Sequence, residues 1–306
     1  MVKEENLMDK SNKRNPKVSV VIPVHNGQKT MKKCLESVLI QSYDNYEVII
    51  VDNNSNDNTK KIILEFQNKH TNLAYVFEKE QKRGAARNTG EKLATGDIVA
   101  MTDSDCIVPT SWIKELTKPI QNNDCDAVQG FEENIEDNFW SINIQKQNEH
   151  RIKYLKKQKD AIGIIDTKNF AISMKALKTI GYTNRKYFSG NDIELSIKFQ
   201  MKNFKLKFLS NIRVKHFNAS STRGVINRNF YRAIWCSKIT KDHIHYLKQT
   251  SYIKQTNQTV WTFCKFFPGL FKTLLIYGPK YTYFDFITGT SWRAGLLYEK
   301  LSSKKK

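Results

Sequence analysis

Hydrophobic residues in the first hundred positions come in short blocks that alternate between two periods. Lys17–Val24 (KVSVVIPV) is a β-branched run ended by His25-Asn26-Gly27, which predicts a buried strand and then a turn. From Thr30 the apolar residues Met31, Cys34, Leu35, Val38 and Leu39 fall at helical spacing, with Lys32, Lys33 and Glu36 on the other face. Glu47–Val51 (EVIIV) reads as a second strand ending at Asp52. The polar stretch Asn53–Asn58 can hydrogen-bond its own backbone, so it predicts a loop and then a helix cap. A helix carrying Ile62, Ile63 and Phe66 follows, then a third strand over Leu73–Phe77. Gly84–Ala94 predicts a helix stopped by Gly96, and Asp97–Met101 (DIVAM) a fourth strand running into Thr102-Asp103-Ser104-Asp105. Strands alternating with helices predict an α/β fold, a Rossmann-like and mainly parallel sheet flanked by helices. Ligands of such sheets gather beyond the carboxyl ends of the strands. His25, Asp52 and Asp103 all stand just past a strand end.

The middle of the chain is less regular. Asp126–Gln129, Asn169–Ser173, Leu206–Leu209 and Arg213–Phe217 have strand character; Asn143–Gln158 and Asp192–Gln200 read as helices. After about Ser220 the pattern changes. Ile226, Phe230, Ile234 and Trp235 repeat at helical spacing, and Trp261–Tyr277 (WTFCKFFPGLFKTLLIY) is strongly apolar. Lys265, Pro268 and Lys272 interrupt that segment, so no uncharged run reaches the roughly 18 to 20 residues that span a bilayer. Aromatic residues beside lysines suit the membrane interface; a helical hairpin packed on the rest of the chain or at a dimer contact is the other use of such a pattern. The expected organisation is a disordered tail over residues 1–16, a catalytic domain over 17–220 and a C-terminal helical region over 221–306.

Composition narrows the function classes. The chain has 306 residues, 40% of them hydrophobic, enough for a real core. Cys34, Cys106, Cys125, Cys236 and Cys264 are scattered, with no CxxC pair, so neither a disulfide framework nor a zinc knuckle is supported and a reducing, cytoplasmic setting is expected. Residues 1–16 hold no apolar core of a signal peptide. The net charge of +20 favours polyanions or an anionic membrane surface. It is Lys-dominated and spread along the chain, and no nucleic-acid module accompanies it, so charge alone argues weakly for a nucleic-acid-binding or membrane scaffold protein.

Asp103 and Asp105 are carboxylates one residue apart at the end of an apolar strand. Such a pair repels itself unless a cation is near, and hard oxygen ligands suit Mg²⁺ or Mn²⁺. A lone D-x-D also occurs in ordinary turns. The ordered set VSVVIPVHNG (18–27), VDNNSNDNT (51–59), GAARNTG (84–90) and GDIVAMTDSD (96–105), however, resembles the family 2 glycosyltransferases, over roughly residues 17–217. The resemblance implies a GT-A fold, a nucleotide-diphospho-sugar donor (a UDP-sugar in expectation), and a role for each motif. Pro23, Val24 and His25 would line the base pocket, and Asp52 would accept a hydrogen bond from the base or cap the following helix. Gly84 would let the backbone approach the donor. Arg87 would pair with phosphate or brace the aspartates. Asp103 would contact ribose and metal, with Ser104 beside it, and Asp105 would be the main protein ligand of a Mn²⁺ or Mg²⁺ ion.

FSGNDIELSIKFQMKNFKLKF (188–208) resembles the family's acceptor-side motif, which makes Asp192 the general base; this chain carries Asn191 where Glu is frequent. Glu194 has the weaker claim, as a first-turn carboxylate favoured by the helix dipole. His216 stands where many relatives place a histidine on the metal or diphosphate. The reading is therefore an inverting, metal-dependent hexosyl- or N-acetylhexosaminyl-type transferase, peripheral on a membrane, with a lipid-linked or cell-surface glycan acceptor. A nucleotidyltransferase also uses paired aspartates on an α/β sheet, but its triphosphate loop is Gly-rich, and PVHNGQKT has a single Gly. No QxxRW-like element is present, so a processive synthase is not expected.

Overall fold

The computed structural model describes residues 15–155, 157, 165–250 and 266–303. Most of the expected tail, the Trp261–Lys265 part of the aromatic segment, and Cys264 lie outside them. In chain order the elements are β1 (Val18–Val24), α1 (Met31–Val38), β2 (Tyr46–Asp52), α2 (Thr59–Gln67), β3 (Leu73–Phe77), α3 (Arg83–Leu93) and β4 (Ile98–Met101). Next come β5 (Cys106–Ile107), α4 (Trp112–Gln121), β6 (Ala127–Asn134), α5 (Phe139–Leu155), β7 (Phe170–Ser173), α6 (Met174–Ile180) and α7 (Asn191–Met201). The chain continues through β8 (Leu206–His216), α8 (Thr222–Asp242), α9 (Ile244–Leu247) and α10 (Phe266–Ser302).

One eight-stranded sheet has the order β3-β2-β1-β4-β7-β6-β8-β5. β3, β2, β1 and β4 are mutually parallel. β7 runs against both β4 and β6, β8 runs with β6, and β5 runs against β8. Strand direction decides what reaches the working edge. The carboxyl ends of β1, β2 and β4 point there, and so do those of β6 and β8, while the antiparallel β7 brings its start. Val24 is therefore in register with Asp52, Met101 with Phe170 and Asn134 with His216.

Alternation along β1 sorts the core. Val18, Val20, Ile22 and Val24 pack with α1 and with Trp112, Ile113 and Leu116 of α4, whereas Val21 joins Met101, Phe170, Leu195 and Phe199 on the opposite face. Helix ends follow ordinary capping chemistry. The Ser173 side chain accepts from the Ala176 N–H and Ser221 from Gly224, and α6 ends at Gly181 with φ 81°, the left-handed conformation glycine adopts without a Cβ clash.

The two strands read over 206–209 and 213–217 are one long strand, β8. The gap between them is a register shift: Gln129 pairs with Phe208, but Phe131 pairs with Arg213. A shift of this kind leaves backbone groups without ladder partners. Asn169, 1% exposed, fills the need. Its amide donates to the carbonyls of Phe131 and Ile212, both at 2.9 Å, and accepts from the Trp112 indole at 2.9 Å. α4, α6 and β5 carry too short a period to be read from sequence, and α5 begins four residues earlier than the Asn143 start expected. In the C-terminal region α10 is broken at Gly278, φ 78°, with Pro279 next. Its second limb packs along α8, where Gly295 sits so close that a Cβ would meet the Phe230 carbonyl at 2.3 Å. Lys241 of α8 pairs with Glu299 at 2.9 Å.

Asn169→Leu keeps the volume but strands two buried carbonyls and one indole N–H. The loss expected is on the order of 3 kcal/mol, because each buried unpaired group costs roughly 1–3 kcal/mol. Chemical denaturation checks it, and an unchanged midpoint would show that the amide does not hold the register shift.

Candidate active site

Helix α3 joins the two halves of the site. Arg83-Gly84-Ala85-Ala86-Arg87 opens it, and its small residues let it sit against the sheet and the 183–190 loop. A Cβ on Gly84 would meet the carbonyls of Asn184 and Tyr187 at 2.4 and 2.6 Å, and the Gly84 N–H donates to the Tyr187 carbonyl at 3.2 Å. Asn88 donates to the Thr183 carbonyl at 2.7 Å, and the buried Glu91 carboxylate accepts from both the Thr183 N–H and its hydroxyl. Arg185 returns to Thr89 at 2.9 Å and to Glu78 at 3.0 Å. The loop so fixed leads through Gly190, φ 81°, into the first turn of α7 and Asp192.

Arg87, 3% exposed, sends one guanidinium nitrogen to Asp103 Oδ1 at 2.8 Å and another to within 3.8 Å of Asp192 Oδ1. Burial alone would lower its pKa; Asp103 and Asp192 outweigh burial and raise it, so it stays a cation. Of the two roles the sequence leaves open for Arg87, bracing the aspartates is the one this geometry carries. Asp192 Oδ1 also accepts from the Thr167 hydroxyl at 2.7 Å. No hydrogen bond to its Oδ2 is found among the described residues, and Asp192 lines the larger cavity. Glu194, 1% exposed on its side chain, is instead paired with Lys198 at 2.8 Å inside the fold.

Beyond β4, Asp105 Oδ2 lies 3.4 Å from His216 Nε2, and His216 Nδ1 lies 3.4 Å from Glu132 Oε2. Burial would lower the His216 pKa, but the hydrogen bond and charge of Asp105 hold it above the ordinary value. Burial would raise the Asp105 pKa, and His216 more than reverses that. Lys168 sits behind this pair, 2.7 Å from Asp166 and 3.1 Å from Glu132. Asp105, Cys106 and His216 place one potential ligand atom each within 4.8 Å of one another. The Cys106 thiol is buried, and desolvation drives its pKa well above the usual thiol value, so it is a poor ligand. What remains is a carboxylate facing an imidazole, with Asp103 close in sequence and only its Oδ1 committed to Arg87. These oxygen and nitrogen donors fit a Mn²⁺- or Mg²⁺-like ion.

Two cavities meet at this point. The smaller, about 370 Å³, is bounded by Pro23, Val24, His25 and Asn53 on one side and by Asp103, Ser104 and Asp105 on the other. The larger, about 520 Å³, contains Arg87, Asp192 and His216. Arg83, Asp103 and Asp105 line both. The fold thus brings Pro23, Val24, His25, Ser104, Asp103 and Asp105 to one hollow and Asp192, Arg87 and His216 to the adjoining one. Asp52 and Gly84 line neither. Asp52 is 2% exposed, and its carboxylate is taken by the Ser55 N–H and the Tyr75 hydroxyl, both at 3.0 Å, so it shapes the wall while its neighbour Asn53 faces the hollow. Gly84 meets the 183–190 loop, and the close approach it allows is to that loop.

Sequence reading missed Arg83, Glu132, Arg151, Asp166, Lys168, Arg228 and Arg232, all on the larger cavity. The signal for Asp166 and Lys168 was available, because charged residues flank the start of the Asn169–Ser173 strand. Using it required knowing that this strand runs antiparallel. Arg228 and Arg232 stand four apart on a helix, where a solvated face looks the same.

The profile described as glycosyl transferase family 2 matches residues 19–181, more than half of the chain. Glycosyltransferase AglE of Haloferax volcanii is 30% identical over 200 residues, 64% of this chain and 66% of that protein. Glycosyltransferase GlyG of Streptococcus pneumoniae is 38% identical over 115 residues, 37% of this chain and 38% of its own. The chain therefore spans just under two thirds of the first of these relatives and well under half of the second. Among solved structures, the mannosyltransferase PcManGT from Pyrobaculum calidifontis, in complex with GDP-Man and Mn²⁺, superposes with a TM-score of 0.68 at 18% identity, covering 94% of this chain and 88% of that one. S. aureus TarS 1–349, in complex with UDP, gives a TM-score of 0.54 at 16% identity over 94% of this chain and 92% of its own. At such identities these likenesses speak for the fold, which is GT-A. With its profile matched over more than half its length and the motif residues gathered at one sheet edge, the chain belongs to glycosyl transferase family 2.

Proposed function

We propose that the chain is an inverting glycosyltransferase that takes a hexosyl or N-acetylhexosaminyl group from a nucleotide-diphospho-sugar, a UDP-sugar being the first candidate. The observation that carries this reading is the meeting of two cavities on Asp103 and Asp105, with Asp192 on the far side only. The smaller hollow, between Pro23–His25 and Asn53, takes the nucleoside. Neighbours solved with UDP and with GDP-Man support a nucleotide there without choosing between the two.

Asp103, Asp105 and His216 would hold the divalent ion, which supplies positive charge to the departing diphosphate. Arg87 pairs with Asp103 and approaches Asp192, so it holds the two carboxylates at fixed spacing and little reorganisation is needed during reaction. In the larger cavity Asp192 Oδ2 accepts the proton of the acceptor hydroxyl. The oxygen attacks the anomeric carbon as the bond from that carbon to the phosphate oxygen breaks, and the nucleoside diphosphate leaves with the bonding pair. One displacement inverts the anomeric centre. Thr167 donates to Asp192 Oδ1 and so directs Oδ2 to the acceptor.

The chain's membrane side is proposed on the first limb of α10. Phe267, Phe271 and Leu275 are 69%, 64% and 72% exposed, on a chain whose net charge is +20. Apolar side chains on a basic protein suit an anionic bilayer surface at the cytoplasmic face, where a lipid-linked acceptor would be met. Among the described residues, no helix is long and apolar enough to cross a membrane.

Three results are expected. Asp192→Asn lowers turnover by about 10²-fold or more, the usual weight of a general base, while nucleotide binding stays within twofold of wild type; near-normal turnover would remove Asp192 from that role. Rigorous chelation abolishes release of nucleoside diphosphate and added Mn²⁺ or Mg²⁺ restores it; full activity after chelation would remove the metal, and pyrophosphate as product would point to nucleotidyl transfer. In flotation assays the protein rises with anionic vesicles, and Phe271→Glu with Leu275→Glu leaves it at the bottom. A dimer in solution that hides this limb, with no flotation, would reverse the membrane assignment.

A further inference from the structure

The larger cavity has a wall that the transfer reaction leaves unexplained. Arg151 of α5 and Arg228 and Arg232 of α8 line it, together with Lys168, Glu132 and Asp166. On this wall Arg151, Lys168, Arg228 and Arg232 stand with Glu132 and Asp166; over the whole described lining six Lys and Arg face five Asp and Glu. Lys168 is against both acids, at 2.7 and 3.1 Å, and Arg151 also pairs with Asp166, at 4.0 Å. Arg228 and Arg232 have no carboxylate within ion-pair distance among the described residues, and the buried Arg228 Nε has no hydrogen-bond partner. They stand at i and i+4 of one helix, where like charges repel. Burial and the Arg232 charge lower the Arg228 pKa to about 10, and burial with the same charge lowers that of Arg151. Like charges held together on a half-buried wall are costly unless an opposite charge arrives.

We propose that this wall is an oxyanion subsite that recognises a phosphate or diphosphate carried by the acceptor, with Arg228 and Arg232 as its principal ligands. The inference rests on reading the larger cavity as the acceptor side. The donor's own diphosphate is assigned to the ion at Asp103, Asp105 and His216, where the two cavities meet, whereas Arg151, Arg228 and Arg232 line the larger cavity alone. The guanidinium fork matches phosphate oxygens in pairs. Ser221 and Gly224, at the amino end of the 21-residue helix α8, also line the cavity, and that end of a helix favours an anion. The neighbouring surface supplies a place for an apolar tail. His150, adjacent to Arg151 on α5, meets Tyr277 in a tilted contact at 5.1 Å and Tyr281 edge-on at 6.1 Å, next to the exposed limb of α10.

The test is calorimetric titration of the full chain, its donor side filled with Mn²⁺ and whichever of UDP or GDP binds. Decyl diphosphate, inorganic pyrophosphate and the neutral decyl glucoside are the probes. Decyl diphosphate is expected to bind at least about tenfold tighter than decyl glucoside, the difference a charge-assisted pair commonly makes. Arg228→Gln with Arg232→Gln should erase that difference and leave nucleotide affinity within twofold. Pyrophosphate equal to decyl diphosphate assigns the whole site to the anion of a soluble or lipid-borne acceptor, and weaker pyrophosphate adds the lipid tail; both support the subsite. Without phosphate, Arg232→Gln alone should melt at or above the wild-type temperature, because it relieves repulsion. Equal binding of the neutral probe overturns the proposal, and so does a lowered melting temperature for Arg232→Gln with phosphate binding intact. Loss of nucleotide binding in the wild type would instead strike the donor assignment and leave these probe ratios readable.

Discussion

A buried guanidinium is the constraint on which this site depends. Arg87 is buried beneath the site, and the charges of Asp103 and Asp192, which share it, outweigh the cost of burying its cation. Removing either acid would leave a buried cation partly uncompensated, which is costly in any fold. The same contact fixes two carboxylates that arrive from distant parts of the chain. Asp103 belongs to the end of β4 and Asp192 to the start of α7, and the rest of α3 is spent on the hydrogen bonds that hold the intervening loop. The two cavities are thus set relative to each other by one helix.

Strand direction explains why so many polar residues share one edge. In the parallel part of the sheet each strand delivers its carboxyl end, which yields His25 and Asp103 along the donor side. Reversal at β7 delivers instead the residues before its first position, so Thr167 and Lys168 enter from the opposite sense of the chain. β6 and β8 return to the first direction and add Glu132 and His216. Asn169 makes this possible, since it stitches the shifted register of β6 and β8 while Lys168 lines the cavity and the buried Thr167 donates to Asp192. A structural amide and catalytic-side groups are therefore coupled within three residues.

The alternating half of the fold was legible because period alone encodes it. β1 to β4 and α1 to α3 appear where the hydrophobic spacing places them, and the donor-side residues follow from strand ends. Asp52 shows the limit of that logic. A polar residue at a strand end is near the site, but whether it faces ligand or supports the wall depends on neighbours such as Tyr75, which only the fold brings close. Gly84 is similar: the glycine is required, and what approaches it is the Tyr187 loop. In the larger cavity Arg87, Asp192 and His216, like the shared Asp103 and Asp105, were legible through the resemblance, and the remaining charged residues were not. Acceptor-side residues come from α5, the segment before β7, the start of α7 and α8, so no local motif contains two of the arginine-bearing elements.

Family membership therefore constrains the two cavities unequally. The smaller one is built from the matched motifs, and its chemistry follows from carboxylates that need a cation. The larger one takes its distinctive charge from Arg228 and Arg232, which lie beyond the matched residues 19–181. Fold stability does not call for two like charges a helical turn apart on a half-buried face. Their presence is understandable when the group they serve arrives with the acceptor, because proteins keep locally unfavourable charges mainly where a ligand compensates them. On this argument the transfer chemistry resides in the family's motifs, and the choice of acceptor resides in the C-terminal helices.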